Sequence, residues 1–333
     1  MRPSDNTEPG YVSLFESGEL ARRAEVLQTS LAECTLCPRR CGANRSSGET
    51  GVCGAGEELV VAAACPHHGE EPPISATLGS GTIFFAFCPV RCVYCQNYRI
   101  SHDGVGTTCS EERLADRMLD LQANGCHNIN LVTATQFLPQ IMSALASAVP
   151  RGLRIPIVYN TGGYERVETI RMLEGLVDIY LPDVKFATDP AAAKLTVTPD
   201  YASFCWPAVH EMYRQTGPLE IDDSGVAHRG TIVRHLVLPG GFSETAEVLR
   251  RLKREIGTDV HLSLMGQYLP RHRAIGHPAV GRKLLRSEYE TVVDEMHDLG
   301  FFNGWCQDVD SLDGGFVPDF DSPTSVFRAN RVI

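Results

Sequence analysis

The 333-residue chain is 43% hydrophobic and carries 41 acidic against 30 basic residues, for a formal net charge of −11. That length can bury a sizeable core, and the acidic balance excludes an overall basic field that would hold nucleic acid non-specifically. No run of about 18 apolar residues is present, and residues 1–10 are polar, acidic and proline-containing. Neither a membrane span nor a secretory leader is expected, and the protein is expected to be cytoplasmic. Twelve cysteines in such a chain point to metal rather than disulfides, and they cluster: eight lie between Cys34 and Cys95.

In chain order, apolar residues at helical intervals predict a lead-in helix over 14–31. From 34 to 55 the chain is rich in Cys, Gly and Arg without aliphatic periodicity, so something other than a hydrophobic core must hold it. Cys34-x2-Cys37-x3-Cys41-x11-Cys53 offers four thiolates, with Pro38, Gly42 and Gly54 as turn residues. Structural zinc, a second iron–sulfur cluster and four free thiols all remain open there. His67-His68 with Glu70-Glu71 follows, a dense titratable patch that reads either as acid–base machinery or as satisfied loop residues.

An apolar strand over 82–87 leads into Phe87-Cys-Pro-Val-Arg-Cys-Val-Tyr-Cys-Gln-Asn97. Thiolates this close converge on one metal centre, and three of them leave a coordination position open. Ligation by cysteine alone suits an iron–sulfur cluster, or zinc closed by a fourth ligand such as His102 or Cys109. Ser110 then caps a helix to about 124, and Gly125 stops it. Strands over 128–133, 155–160, 177–181, 231–238 and 260–265 alternate with helices over 136–149, 165–173, 190–195, 199–215 and 243–256. Six such repeats predict an α/β fold, a partial (β/α)6 TIM-like barrel, although a doubly wound sheet gives a similar element string. The expected organisation is a Cys-rich N-terminal extension over 1–75, the barrel over 76–281, and a C-terminal helix with an irregular tail over 282–333. Strand carboxyl ends would gather the Cys88 loop, Thr133, Asn160, Asp183, Arg234 and Gln267 at one mouth.

The ordered motifs Leu36-Cys-Pro-Arg-Arg-Cys41, Cys92-Val-Tyr-Cys-Gln-Asn97, Ile157-Val-Tyr-Asn-Thr161, Asp178-Ile-Tyr-Leu-Pro-Asp183 and Val233-Arg-His-Leu-Val-Leu-Pro-Gly240 resemble the radical S-adenosylmethionine (SAM) superfamily. Within it they resemble the pyruvate formate-lyase activating enzyme-like branch, over about residues 34–268. The resemblance implies that Cys88, Cys92 and Cys95 ligate three irons of a [4Fe-4S] cluster, that SAM chelates the fourth, and that its reductive cleavage gives a 5′-deoxyadenosyl radical. It implies Tyr94 beside the adenine, Asn160 at the ribose, Asp183 and Lys185 at the SAM or substrate pocket, and Arg234 on the methionine carboxylate. Where relatives carry Gly-Gly-Glu this chain has Thr133-Ala-Thr-Gln136, so hydroxyl and backbone acceptors, Thr133 and Thr135 among them, are expected in place of the carboxylate. The implied partners are a low-potential electron donor of the flavodoxin or ferredoxin type and a glycyl radical protein substrate. Read from the residues alone, the same positions also suit a turn cap at Asn160, a solvated Asp183–Lys185 pair and a strand-edge salt bridge at Arg234. A small molecule, peptide or RNA substrate, or a non-catalytic metal-binding scaffold, remain the other readings.

Overall fold

A computed structural model describes residues 8–307 and 320; the tail expected over 316–333 otherwise lies outside the described residues. The lead-in helix is two helices, α1 (Gly10–Glu16) and α2 (Glu19–Thr29), broken where Gly18 takes φ +76°. Leu20, Ala24 and Leu27 are the buried stripe of α2, which packs on the barrel helix α6 (Leu138–Ala148).

Two strands precede the parallel array. β1 (Val60–His67) runs antiparallel to β2 (Ser80–Phe85) and carries the short β3 (Thr107–Thr108) on its outer edge. The sequence gives little sign of β1, because Val-Val-Ala-Ala-Ala-Cys-Pro-His has small side chains, a proline and no alternation. The strands expected from the apolar runs follow as β2, β4 (Ile129–Val132), β5 (Ile157–Thr161), β6 (Ile179–Pro182), β8 (Ala227–Leu236) and β9 (His261–Met265). A two-residue strand, β7 (Glu220–Ile221), pairs antiparallel with β8.

The sheet order is β10-β9-β8-β6-β5-β4-β2-β1-β3, and every neighbouring pair from β2 to β10 (Gly304–Cys306) is parallel. Strands laid down in chain order in one direction describe a TIM-like winding; a doubly wound sheet would reverse at a switch point. Among the described residues the ends of the sheet do not pair, so the barrel is open. Short helices α3 (Pro72–Ser75) and α4 (Tyr98–Ser101) precede and follow β2, and α5 (Glu111–Ala123), α6, α7 (Val167–Arg171), α8 (Asp189–Leu195), α9 (Tyr201–Thr216) and α10 (Thr245–Glu255) lie in the connections between successive parallel strands. The Ser110 hydroxyl accepts from the Arg113 N–H at 3.2 Å and caps α5, with Glu111 and Glu112 in the first turn, where the helix dipole favours them.

The C-terminal segment is continuous with the barrel. Helix α11 (Arg286–Asp298) packs on α10, the Tyr289 hydroxyl donates to the Leu264 carbonyl at 2.6 Å, and β10 adds a seventh parallel strand beside β9. Among the described residues no helix is long and apolar enough to cross a membrane.

Candidate functional site

Strand β2 delivers the three-cysteine loop to the carboxyl ends of the parallel strands. Backbone bends flank the loop, since Phe87 and Arg91 hold φ +69° and +47°, a region non-glycine residues seldom occupy. One side chain ties it down: Gln136 Nε2 donates to the carbonyls of Ala86 (2.8 Å), Phe87 (3.2 Å) and Thr133 (2.8 Å). Cys88, Cys92 and Cys95 line a cavity of about 640 Å³. Tyr94, Thr133, Asn160, Asp183, Lys185 and Arg234 line the same cavity.

Burial dominates at the loop and pushes all three thiols up; the N–H groups of Val90 and Arg91 at Cys88, that of Asn97 at Cys95, and the Lys185 ammonium at all three offset part of it. The Ser101 hydroxyl stands 3.0 Å from the Cys95 sulfur. Tyr94 hydrogen-bonds the Cys92 thiol and packs edge-on against Phe186 and Tyr268. Among the described residues no three His, Cys, Asp or Glu side chains are gathered closely enough to hold a metal ion as they stand. The donor set nevertheless fits a cluster: three thiols on one loop, amide donors on the sulfurs and a cation behind them.

Arg234 organises the far wall. Its Nε donates to Asp183 Oδ1 (2.8 Å), its Nη2 to Asn160 Oδ1 (2.7 Å), and its Nη1 stands 3.3 Å from Glu70 Oε2. Lys185 Nζ donates to Asp183 Oδ2 at 2.6 Å, and Asn130 Nδ2 to Glu70 Oε1 at 3.1 Å. Burial alone would raise the Asp183 carboxyl, yet Arg234 and Lys185 outweigh it and hold the group below its usual range. Burial dominates instead at Glu70 and Glu71, which are pushed up despite Arg234, and it pushes His67 down to about 4. Arg234 is thus a bracket between β5, the residue that follows β6 and the segment after β1, rather than a free clamp for a carboxylate.

Three cavity-lining acceptors have no hydrogen-bond partner among the described residues: Asn97 Oδ1, Gln267 Oε1 and Glu71 Oε2. Buried polar atoms are seldom left so.

Thr135 corrects an expectation. Thr133 takes φ +56° and turns the chain, so that Thr135 points into the core, where its hydroxyl donates to Glu165 Oε1 (2.6 Å) and lies 3.0 Å from the Tyr159 hydroxyl. It does not line the cavity. Cys34, Cys37, Cys41 and Cys53 also lie away from it. Glu70, Glu71, Gln136, Ser263 and Gln307 are the site residues the sequence reading did not single out individually. Only the glutamates carried a signal, in the titratable patch; Gln307, whose Oε1 accepts from the Gly266 and Gln267 N–H groups (3.0 and 3.2 Å), follows a strand of three residues, too short to read.

The carboxyl beneath Thr135 carries a pH prediction. Burial raises Glu165 from 4.5 to about 7 against the hydroxyls of Thr135, Thr161 and Tyr159, all on Oε1, while Oε2 has no partner among the described residues. Between these pH values the folded chain holds a proton the unfolded chain releases, so this contribution to stability is full below about pH 4.5 and is lost as pH rises through 7. Glu165→Gln keeps the acceptor and removes the titration. Urea unfolding should find the variant more stable than wild type by roughly 2–3 kcal/mol at pH 8, with the difference shrinking towards pH 5; a pH-independent difference would contradict the assignment.

No protein-family model matches the chain. It is 26% identical over 297 residues to an uncharacterized protein of Methanocaldococcus jannaschii, an alignment covering 87% of this chain and 82% of that one. Among solved structures it is similar to the FeFe-hydrogenase maturase HydG from Carboxydothermus hydrogenoformans, with a TM-score of 0.45 and 16% identity over 65% of this chain. The chain spans half the length of that structure.

Proposed function

We propose that the chain is a radical SAM enzyme that uses Cys88, Cys92 and Cys95 to hold a [4Fe-4S] cluster with one iron left for SAM. The observation that carries this is the convergence of three thiols and three unpartnered acceptors on one cavity whose volume suits a small-molecule ligand. When bound, the cluster supplies the electron that cleaves SAM and so provides the radical that takes a hydrogen from substrate.

The chain's own groups do the binding. Gln267 Oε1 and Asn97 Oδ1 are acceptors for the SAM amino group, in the role that a Gly-Gly-Glu carboxylate fills in relatives. Asn160 gives its Oδ1 to Arg234, which leaves the Nδ2 donors for a ribose hydroxyl. Lys185 faces the thiolates and any ligand carboxylate beside them as a fixed positive charge. Burial raises the Glu71 carboxyl, whose Oε2 has no partner among the described residues. Tyr94 lines the cavity with its ring packed edge-on against Phe186 and Tyr268, which holds it beside the loop sulfurs.

The resemblance to the activating-enzyme branch supports a glycyl radical protein as the hydrogen donor and a flavodoxin- or ferredoxin-type reductant. Paramagnetic resonance of the reduced, anaerobically reconstituted protein tests the open iron: addition of SAM should change the cluster spectrum. An unchanged spectrum, or colourless protein holding zinc at the triplet, would sink the proposal and leave the metal-binding scaffold.

A further inference from the structure

The N-terminal cysteines lie outside the catalytic cavity and are built in a recurring way. Cys41-Gly42-Ala43 and Cys53-Gly54-Ala55 are the same tripeptide, each with its glycine in the left-handed region, at φ +67° and +102°. In both, the N–H of the alanine two residues on is aimed at the cysteine sulfur. Cys37 receives the N–H of Arg39 in the same i to i+2 relation. A backbone N–H turned onto the sulfur two residues back is placed to donate to a metal-bound thiolate. Three such turns in 19 residues are hard to explain in a segment of free thiols.

Two of the sulfurs also share a space. A Cβ at Gly51 would stand 3.3 Å from the Cys53 sulfur and 3.5 Å from the Cys41 sulfur, so both flank a point that only glycine leaves open. Cys41 hydrogen-bonds the Cys34 thiol, and Cys34 pairs its backbone with the Cys41 knuckle through Cys34 N–H to Ala43 O (3.0 Å) and Gly42 N–H to Cys34 O (3.1 Å). Arg45 is fully buried beside them: its guanidinium donates to the Gly56 carbonyl at 2.9 and 2.6 Å and stands 3.8 Å from the Cys34 sulfur. A buried cation among four cysteines matches the surplus negative charge of a divalent ion held by four thiolates.

We propose that Cys34, Cys37, Cys41 and Cys53 bind one zinc ion in a closed tetrahedral site that braces the mouth of the barrel. Among the described residues the four thiols do not stand close enough together to hold an ion as they are, so rotation of the side chains onto a common point completes the site, and binding releases the thiol protons. The brace has two arms. One reaches the β5–α7 connection, where Arg166 Nη1 donates to the Thr35 carbonyl (2.6 Å) and the Thr169 hydroxyl to the Leu36 carbonyl (2.8 Å). The other reaches the three-cysteine loop: Gly54 approaches the Phe87 ring so closely that a Cβ there would lie 2.7 Å from it, and Arg91 Nη1 stands 3.4 Å from the Val52 carbonyl. The site is independent of what the triplet holds.

The test is a metal count on full-length protein in which Cys88, Cys92 and Cys95 are all alanine, so that the triplet contributes nothing. One zinc per chain is expected, with loss of that zinc in the further variant Cys53→Ala and a fall in Tm of roughly 10 °C or more. Should Cys53→Ala fail to fold, cobalt substitution of the parent decides: a tetrahedral cobalt–thiolate absorption spectrum supports the site. Iron with matching sulfide would overturn the proposal in favour of a second cluster, and chain free of metal after growth in zinc-supplemented medium would overturn it outright.

Discussion

Cys92→Ala is expected to purify without the cluster and to form no detectable 5′-deoxyadenosine from SAM. The reason lies in the count of ligands. The loop supplies three thiols, and the other cysteine lining the cavity, Cys306, belongs to β10 rather than to the loop, so removing the middle one leaves two loop thiols on a cluster that needs three. The loss should exceed by far the roughly 10–100-fold that removal of an outer-shell partner costs a metal site. Cys65→Ala, a change on β1 outside the cavity lining, serves as the control and should keep its iron. Iron and sulfide analysis of the two variants side by side reads the outcome; a Cys92→Ala protein with four irons and wild-type turnover would remove the triplet from the chemistry.

Arg234→Met is expected to cost about 3–5 kcal/mol of stability at pH 7, the range for breaking a buried ion pair from one side. The guanidinium holds Asp183, Asn160 and Glu70 at once, on three different elements. Without it Asp183 retains only Lys185, Asn160 Oδ1 loses its donor and Glu70 is left with Asn130. Arg234→Lys should rescue little, because a single ammonium cannot reproduce the planar fork that reaches three acceptors. At a second, lower pH the loss should be smaller, since burial shifts Glu70 towards its protonated form, which needs no counter-charge. Thermal unfolding at both pH values checks this; a Tm within about 2 °C of wild type at pH 7 would show that the network contributes little.

Much of this architecture is legible in the sequence because parallel strands are continuous apolar runs and their carboxyl ends share one side of the sheet. That is why the Cys88 loop, Thr133, Asn160, Asp183 and Arg234 could be grouped at a mouth from strand ends alone. Strand β1 was hidden by its alanines and proline, and β10 by its brevity. Thr135 was expected at the cavity and its hydroxyl lies instead on Glu165 in the core; period and propensity say nothing of the left-handed Thr133 two residues before it. Arg234 was expected on a ligand carboxylate; its saturation by Asp183, Asn160 and Glu70 depends on side chains brought from three other places in the chain. The paired Cys-Gly-Ala turns were visible as letters, but only the N–H groups directed at their sulfurs give the repetition a physical meaning.

The central assignment is tested most directly by product formation. Wild-type protein reconstituted anaerobically with iron and sulfide, reduced with dithionite and supplied with SAM should accumulate 5′-deoxyadenosine and methionine together, detected by chromatography and mass spectrometry. A preparation with a full complement of iron and sulfide at the triplet that forms neither product would contradict the radical SAM assignment.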